Sequence, residues 1–94
     1  MSYREHFKEK VVIISKKECP SCERLKQLFE TIEVSYQVLE FNNQDIISEI
    51  KRDTNANKFP FCYIDGKYMG NYEKIEHMLI TENLKKYLDY EIDF

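Results

Sequence analysis

Residues 11–30, VVIISKKECPSCERLKQLFE, pass from a continuous apolar run into a helical pattern, with two cysteines near the junction. Val11 to Ser15 predicts a strand that is buried on both faces, as a central parallel strand is. A helix should follow from Cys19, because Pro20 suits the first helical position, where no amide donor is needed. The apolar stripe of that helix recurs at three- and four-residue spacing and consists of Cys22, Leu25, Phe29 and Ile32.

Downstream, the chain predicts a second strand and a second helix. Val34 to Phe41 is rich in β-branched and aromatic residues, which favour strands. Asn42 or Asn43 can cap the helix that follows. The inner face of that helix is formed by Ile46, Ile47 and Ile50. The first two strands should be parallel, because a helix connects them.

A polar loop, residues 53–58, precedes a predicted β-hairpin. One strand spans Phe61 to Ile64, Asp65-Gly66 is a two-residue turn, and Lys67 to Met69 forms the returning strand. Gly70-Asn71 breaks that strand. Helical patterns follow at Ile75, Met78 and Leu79, and again at Leu84, Tyr87 and Leu88. Residues 2–9 predict a short N-terminal helix.

Composition and charge limit the classes of function. The 94 residues, 43% hydrophobic and 33% charged, are typical of one soluble domain. The longest apolar run, Val11 to Ile14, is too short to span a membrane. The net charge of −3, without a basic block, argues against nucleic acid as a partner. The charged N-terminus, MSYREHFKEK, is unlike a signal or transit peptide, so we expect a cytoplasmic protein.

Cys19 and Cys22 could form a zinc site, an inert pair packed in the core or a redox pair. A zinc site needs about four ligands, and the remaining candidates, Cys62, His6 and His77, form no second paired motif. An inert, packed pair suits Cys22 on the apolar stripe but not Cys19 at the start of the helix. The third possibility is the redox pair. For Cys62, inside the predicted third strand, we expect packing in the core.

The redox interpretation depends on the start of the helix. A cysteine there places its sulfur near unpaired amide donors and the positive end of the helix dipole. Both favour the nucleophilic thiolate, and Lys16 and Lys17 add positive charge. Cys22 lies one turn further in, so we expect an exposed attacking thiol at Cys19 and a shielded resolving thiol at Cys22. A Cys-x-x-Cys between strand and helix of a βαβ unit is typical of thioredoxin-like redox proteins.

Three segments together resemble the glutaredoxin family, in its dithiol CPxC type. "SKKECPSC", residues 15–22, resembles the family's SKxxCPYC, with Ser21 in place of Tyr. "KFP", residues 58–60, stands where the family has TVP, and "YIDGKYMGNYEKI", residues 63–75, resembles FIDGxxIGGCDDL. The resemblance covers about residues 11–80. It implies an α/β, thioredoxin-like three-layer sandwich, with a central four-stranded mixed sheet flanked by helices. We expect one domain over residues 1–94, with a short N-terminal helix and a C-terminal helical tail.

The resemblance also implies glutathione-dependent thiol–disulfide exchange, serving electron transport and cell redox homeostasis. Cys19 would be the nucleophile and Cys22 the resolving thiol. The implied partners are glutathione, as a co-substrate, and disulfide-containing or glutathionylated proteins; we expect a monomer with no tightly bound cofactor or metal. Two alternatives stay open. One is a glutaredoxin relative that carries an iron–sulfur cluster, and the other is a thioredoxin-like reductant fed by a reductase.

By the same resemblance, five residues bind glutathione. Lys16 approaches the glycine carboxylate, and Pro60 is a cis-proline that lets the backbone of Phe59 pair with the cysteinyl part. Tyr72, through its backbone, and Glu73, through its side chain, hold the γ-glutamyl end. The chain departs from the family pattern at Lys58, Asn71 and Glu73, where the family has Thr, Gly and Asp.

Overall fold

The computed structural model describes residues 2–81, whose elements follow the predicted order. A 3₁₀ helix, Tyr3–His6, comes first. The strands are β1 Val11–Ser15, β2 Gln37–Glu40, β3 Phe61–Ile64 and β4 Lys67–Gly70. The helices are α1 Pro20–Thr31, α2 Gln44–Thr54 and α3 Tyr72–Ile80. The helical pattern predicted at Leu84, Tyr87 and Leu88 and the C-terminal tail lie outside the described residues.

The four strands form one mixed sheet in the order β2-β1-β3-β4. β1 pairs in parallel with β2, to which α1 connects it, and antiparallel with β3. β3 and β4 form the predicted hairpin. Its turn residues, Asp65 and Gly66, both have positive φ, 53° and 76°, as two-residue turns that match the twist of the strands require. The predicted mixed sheet with a parallel first pair is confirmed.

Both faces of β1 are covered by helices, as its unbroken apolar sequence predicts. Val11 and Ile13 pack in the cluster that α1 and α3 contribute to, whereas Val12 and Ile14 pack with α2 and the 3₁₀ helix. Alternate side chains of a strand point to opposite faces, so one short segment serves two cores. Each buried aliphatic side chain contributes about 1.5–3 kcal/mol. The result is the predicted three-layer sandwich.

Asparagine side chains satisfy free amide groups at the starts of two helices. Asn43 Oδ1 accepts hydrogen bonds from the amides of Asp45 and Ile46 at 2.8 and 3.3 Å. Asn71 Oδ1 accepts from the amide of Lys74 at 3.1 Å. Such a cap contributes about 1 kcal/mol. Of the two asparagines that could cap α2, Asn43 does so. No helix within residues 2–81 has the length and apolar character needed to cross a membrane.

Several element boundaries differ from the sequence prediction; β4, for example, includes Gly70, which we expected to break the strand. Two of these differences have a local cause. β2 begins at Gln37, not at Val34 as predicted. The amide of Val34 donates to the carbonyl of Phe29 at 2.9 Å, so the amide of Val34 bonds to the end of α1 and not to the sheet. α2 continues to Thr54, into the stretch predicted as a loop. There the Thr54 hydroxyl donates to the Ile50 carbonyl at 2.8 Å. The first hydrogen bond closes the C-terminal end of α1 and delays the start of β2, and the second links the last residue of α2 to the preceding turn.

A pair of buried tyrosines anchors the 3₁₀ helix to the sheet. The hydroxyls of Tyr3 and Tyr63 lie 2.7 Å apart, and that of Tyr3 also donates to Asp53 Oδ2 at 3.2 Å. Burial is the main cause that raises the pKa of both tyrosines. The guanidinium of Arg4, 5.2 Å from the ring centroid of Tyr63, partly opposes that rise.

We therefore expect the free energy of unfolding to fall as the pH rises above about 10. The folded protein retains hydroxyl protons that the unfolded chain loses there, so this stabilisation is complete below that pH and is lost above it. Each raised group contributes a slope of up to about 1.4 kcal/mol per pH unit. Urea unfolding from about pH 8 to about pH 11 measures how the free energy of unfolding declines with pH. The decline should be less steep in Tyr63→Phe than in the wild type. An equal slope in the wild type and in Tyr63→Phe would contradict this.

Candidate active site

Three segments that are distant in the chain leave the same end of the sheet. Ile14 pairs with Phe61, and Cys62 pairs with Gly70. The end of β1, the start of β3 and the end of β4 are therefore neighbours. Residues 16–22 follow β1, residues 58–60 precede β3, and residues 70–73 run from the end of β4 into α3. These three segments contain all seven residues predicted for the site.

Cys19 and Cys22 lie at the start of α1, where the sequence predicts them. Cys19 is the N-cap of the helix and Pro20 its first residue. The Cys19 Sγ accepts a hydrogen bond from the Cys22 amide at 3.2 Å. The two cysteines are joined by a disulfide, with their Cα atoms 5.2 Å apart. The sulfur of Cys19 thus bonds both to the second cysteine and to an amide of the first helical turn.

Cys19 is less exposed than we expected. Cys19 is 8% exposed and Cys22 is 0% exposed. Cys19 is therefore the more accessible of the two, as expected, but it is a buried residue and not an exposed one. The sulfur of Cys19 is bonded to that of Cys22, which is fully buried, and residues around the helix start cover the rest of Cys19. A reagent that reaches this pair from solvent meets Cys19 first.

The cis-proline segment lies across from the helix start. The Phe59–Pro60 peptide bond is cis, as the family resemblance implies. Pro60 is buried and Phe59 is half-buried. The ring of Phe59 meets that of Phe61 edge-on, with centroids 5.0 Å apart. The Nζ of Lys16 lies 5.4 Å from the Phe59 ring centroid, so two of the predicted site residues contact each other.

Gly70 and the start of α3 form the third part of the site. Gly70 has a φ of 126°, and Asn71 caps the helix, so Tyr72 and Glu73 begin its first turn. Backbone amides in such a turn favour an anionic group. The Tyr72 hydroxyl donates to Glu76 Oε2 at 2.7 Å, and this bond is the main cause that raises the pKa of Tyr72. The side chain of Glu73 is exposed.

A groove of about 340 Å³ adjoins this third part, and the sequence did not predict it. Gly70, Asn71 and Lys74 line one side of it. The remaining lining residues are Thr54, Asn55, Ala56, Tyr68 and Met69. No local pattern links the end of α2 to the start of α3. These residues come together only in the folded chain, so no local sequence signal predicts this groove.

The third cysteine is separate from the pair. Cys62 is 0% exposed in the core, as predicted, and burial raises the pKa of its thiol. A thiol that stays protonated is a poor nucleophile and metal ligand. Within residues 2–81, no three or more His, Cys, Asp or Glu side chains are grouped so that they could hold a metal ion.

Comparison with known proteins assigns the family. The model of the family described as Glutaredoxin matches residues 11–69. The chain belongs to the glutaredoxin family. Glutaredoxin-C6 of Oryza sativa subsp. japonica is 33% identical to this glutaredoxin over 64 residues, which are 64% of this chain and 57% of the rice protein. A glutaredoxin of Vernicia fordii is 29% identical over 72 residues, 72% of this chain and 69% of that protein. The chain thus matches less than two thirds of the length of the rice protein.

Solved glutaredoxins share the fold. The holo form of glutaredoxin C1 from Populus tremula x tremuloides has a TM-score of 0.80 at 27% identity, over 85% of this chain and 76% of that one. A buckwheat glutaredoxin–glutathione complex has a TM-score of 0.79 at 26% identity, with coverage of 85% and 76%. The predicted family and thioredoxin-like fold are confirmed. Glutaredoxins are thiol–disulfide oxidoreductases, and this glutaredoxin carries the Cys-x-x-Cys pair that such chemistry needs.

Proposed function

We propose that this glutaredoxin is a glutathione-dependent thiol–disulfide oxidoreductase that reduces protein disulfides and glutathione mixed disulfides. One observation carries the proposal: Cys19 and Cys22 form a disulfide at a helix start, with Cys19 as the more accessible of the two. The disulfide between these cysteines can form and break without movement of the backbone, because their Cα atoms, 5.2 Å apart, lie within the usual range for a disulfide. The amide of Cys22, which donates to Cys19 Sγ, favours negative charge on that sulfur once the pair is reduced.

The monothiol route begins with the Cys19 thiolate. It attacks the glutathione sulfur of a glutathionylated protein, a Cys19–glutathione disulfide forms, and the protein thiolate leaves with the electron pair of the broken bond. A second glutathione thiolate attacks the glutathione sulfur of that mixed disulfide. Oxidised glutathione forms, and the Cys19 thiolate returns. Overall, one free glutathione and the glutathionylated protein become the protein thiol and oxidised glutathione, and the proton that the glutathione thiol loses is balanced by the one that the protein thiolate gains.

The dithiol route uses both cysteines. Cys19 attacks a protein disulfide, and Cys22 then attacks Cys19 Sγ and releases the reduced protein, which leaves the Cys19–Cys22 disulfide. Two glutathione molecules reduce that disulfide, first through a Cys19–glutathione mixed disulfide and then with release of oxidised glutathione. Since Cys22 is 0% exposed, exchange with outside thiols should take place at Cys19.

Glutathione has a matching set of contacts around the pair. The ammonium of Lys16 suits the glycine carboxylate, and the main chain of Phe59, beside Pro60, suits the cysteinyl backbone, as an added strand would. The amide of Tyr72 suits the γ-glutamyl carboxylate, and the carboxylate of Glu73 suits its ammonium. A buckwheat relative that was solved as a glutathione complex supports this assignment.

The test is turnover of a glutathionylated peptide. With glutathione, glutathione reductase and NADPH present, we expect NADPH oxidation that saturates with the peptide and exceeds the uncatalysed rate at least about a hundredfold. The control replaces glutathione and its reductase by thioredoxin reductase. Turnover in the control alone would contradict the proposal and favour a reductant fed directly by a reductase.

A further inference from the structure

The side chain of Lys16 is exposed, yet it lies against an aromatic ring. Its Nζ is 5.4 Å from the ring centroid of Phe59, which is within the range of a cation–π interaction. Phe59 is half-buried, and its ring packs edge-on against Phe61, which is 0% exposed. The core thus holds the ring of Phe59 in place through Phe61, and the ammonium of Lys16 contacts the same ring.

An unrestrained lysine binds a ligand at an entropic cost. Its flexible side chain loses up to about 2 kcal/mol of rotamer freedom when the ammonium becomes fixed. A contact that restricts the side chain beforehand lowers that cost, which is the general effect of preorganisation. The ammonium has three donors, so it can contact the ring and still donate to a carboxylate. The cation–π contact is therefore compatible with ligand binding.

We propose that Phe59 is a positioning residue, whose ring holds the ammonium of Lys16 where it meets a carboxylate of glutathione. The inference rests on the proposed function and adds a role for a side chain, since the glutathione contact proposed above uses only the main chain of Phe59. A valine, which stands at this position in the family's TVP segment, has no ring for the ammonium. This glutathione site therefore depends on two coupled side chains, that of Lys16 and that of Phe59.

A double-mutant cycle tests the coupling through steady-state kinetics. Phe59→Leu should raise the KM for glutathione about two- to fivefold and leave kcat unchanged, since an exposed cation–π contact has about that effect on affinity. Phe59→Tyr keeps the ring and should behave like the wild type. Lys16→Gln should raise the KM at least as much as Phe59→Leu. In the Lys16→Gln background, Phe59→Leu should have no further effect.

The controls separate positioning from packing. Phe7→Leu removes the same ring volume from the same side of the sheet, but Phe7 contacts Tyr63 rather than a lysine, so the KM should stay at the wild-type value. Phe59→Val is a second ringless variant, so the test does not depend on the folding of Phe59→Leu alone. An unchanged KM in both ringless variants, or a full effect of Phe59→Leu in the Lys16→Gln background, overturns the role of Phe59. Absence of glutathione turnover in the wild type overturns the proposed function itself.

Discussion

Cys19→Ser should lose turnover of a glutathionylated peptide by about three orders of magnitude or more, whereas Cys22→Ser should keep most of it. A serine hydroxyl at position 19 is not a nucleophile toward sulfur at neutral pH, so no mixed disulfide with glutathione can form. Cys22 is 0% exposed and is needed only when a protein disulfide has to be resolved. The measurement is NADPH oxidation with glutathione and glutathione reductase, and mass spectrometry should detect one glutathione bound to Cys22→Ser at Cys19.

Cys62→Ala is the matched control for the two serine variants. It also removes a thiol, but from the core of the sheet, where burial keeps that thiol protonated, so turnover should stay at the wild-type rate. An equal loss in Cys19→Ser and Cys22→Ser would favour the thioredoxin-like mechanism, in which both sulfurs take part in every cycle. Unchanged turnover in Cys19→Ser would refute the assignment of the nucleophile.

The elements that the sequence predicted well are those with a local physical signal. β1 follows from an unbroken apolar run, and all five of its residues are buried. The start of α1 follows from Pro20, whose missing amide proton suits only that position of a helix. The hairpin follows from Asp65-Gly66, two residues that tolerate positive φ. Each of these features depends on a few adjacent residues, so no knowledge of the tertiary structure was needed.

The features that the sequence did not predict depend on hydrogen bonds at helix ends or on contacts between distant residues. Val34 has a strand-forming side chain, but its amide bonds to α1 and its side chain is buried in the core. Phe59 and Lys16 are 43 positions apart, and only the pairing of β1 with β3 brings their side chains together. The depth of Cys19 likewise depends on the disulfide and on the protein around it. Sequence patterns and the family resemblance predicted the candidate site residues, whereas the contacts among them are visible only in the fold.

Gly70→Ala should lower the free energy of unfolding by about 2–5 kcal/mol. The φ of Gly70 is +126°, a conformation that residues with a Cβ rarely adopt. A Cβ there would also lie 2.6 Å from Lys74 Cγ and 2.7 Å from Lys74 Cβ, atoms close to the backbone of α3 that cannot easily move aside. Urea unfolding of the wild type and Gly70→Ala, at a pH below that at which tyrosines titrate, measures the difference.

Gly66→Ala is a comparison variant that has a positive φ but no crowding. Gly66 also has a positive φ, +76°, but a Cβ there would meet only Arg4 Nη1, at 3.8 Å, which is an ordinary contact. Its replacement should therefore cost only the backbone term, about 1–2 kcal/mol. If both variants lose the same stability, crowding by Lys74 plays no part at Gly70. If Gly70→Ala loses more, the excess is the combined effect of the less favourable φ of +126° and the close approach to Lys74, and both require a glycine at the junction of β4 and α3 that precedes Tyr72 and Glu73.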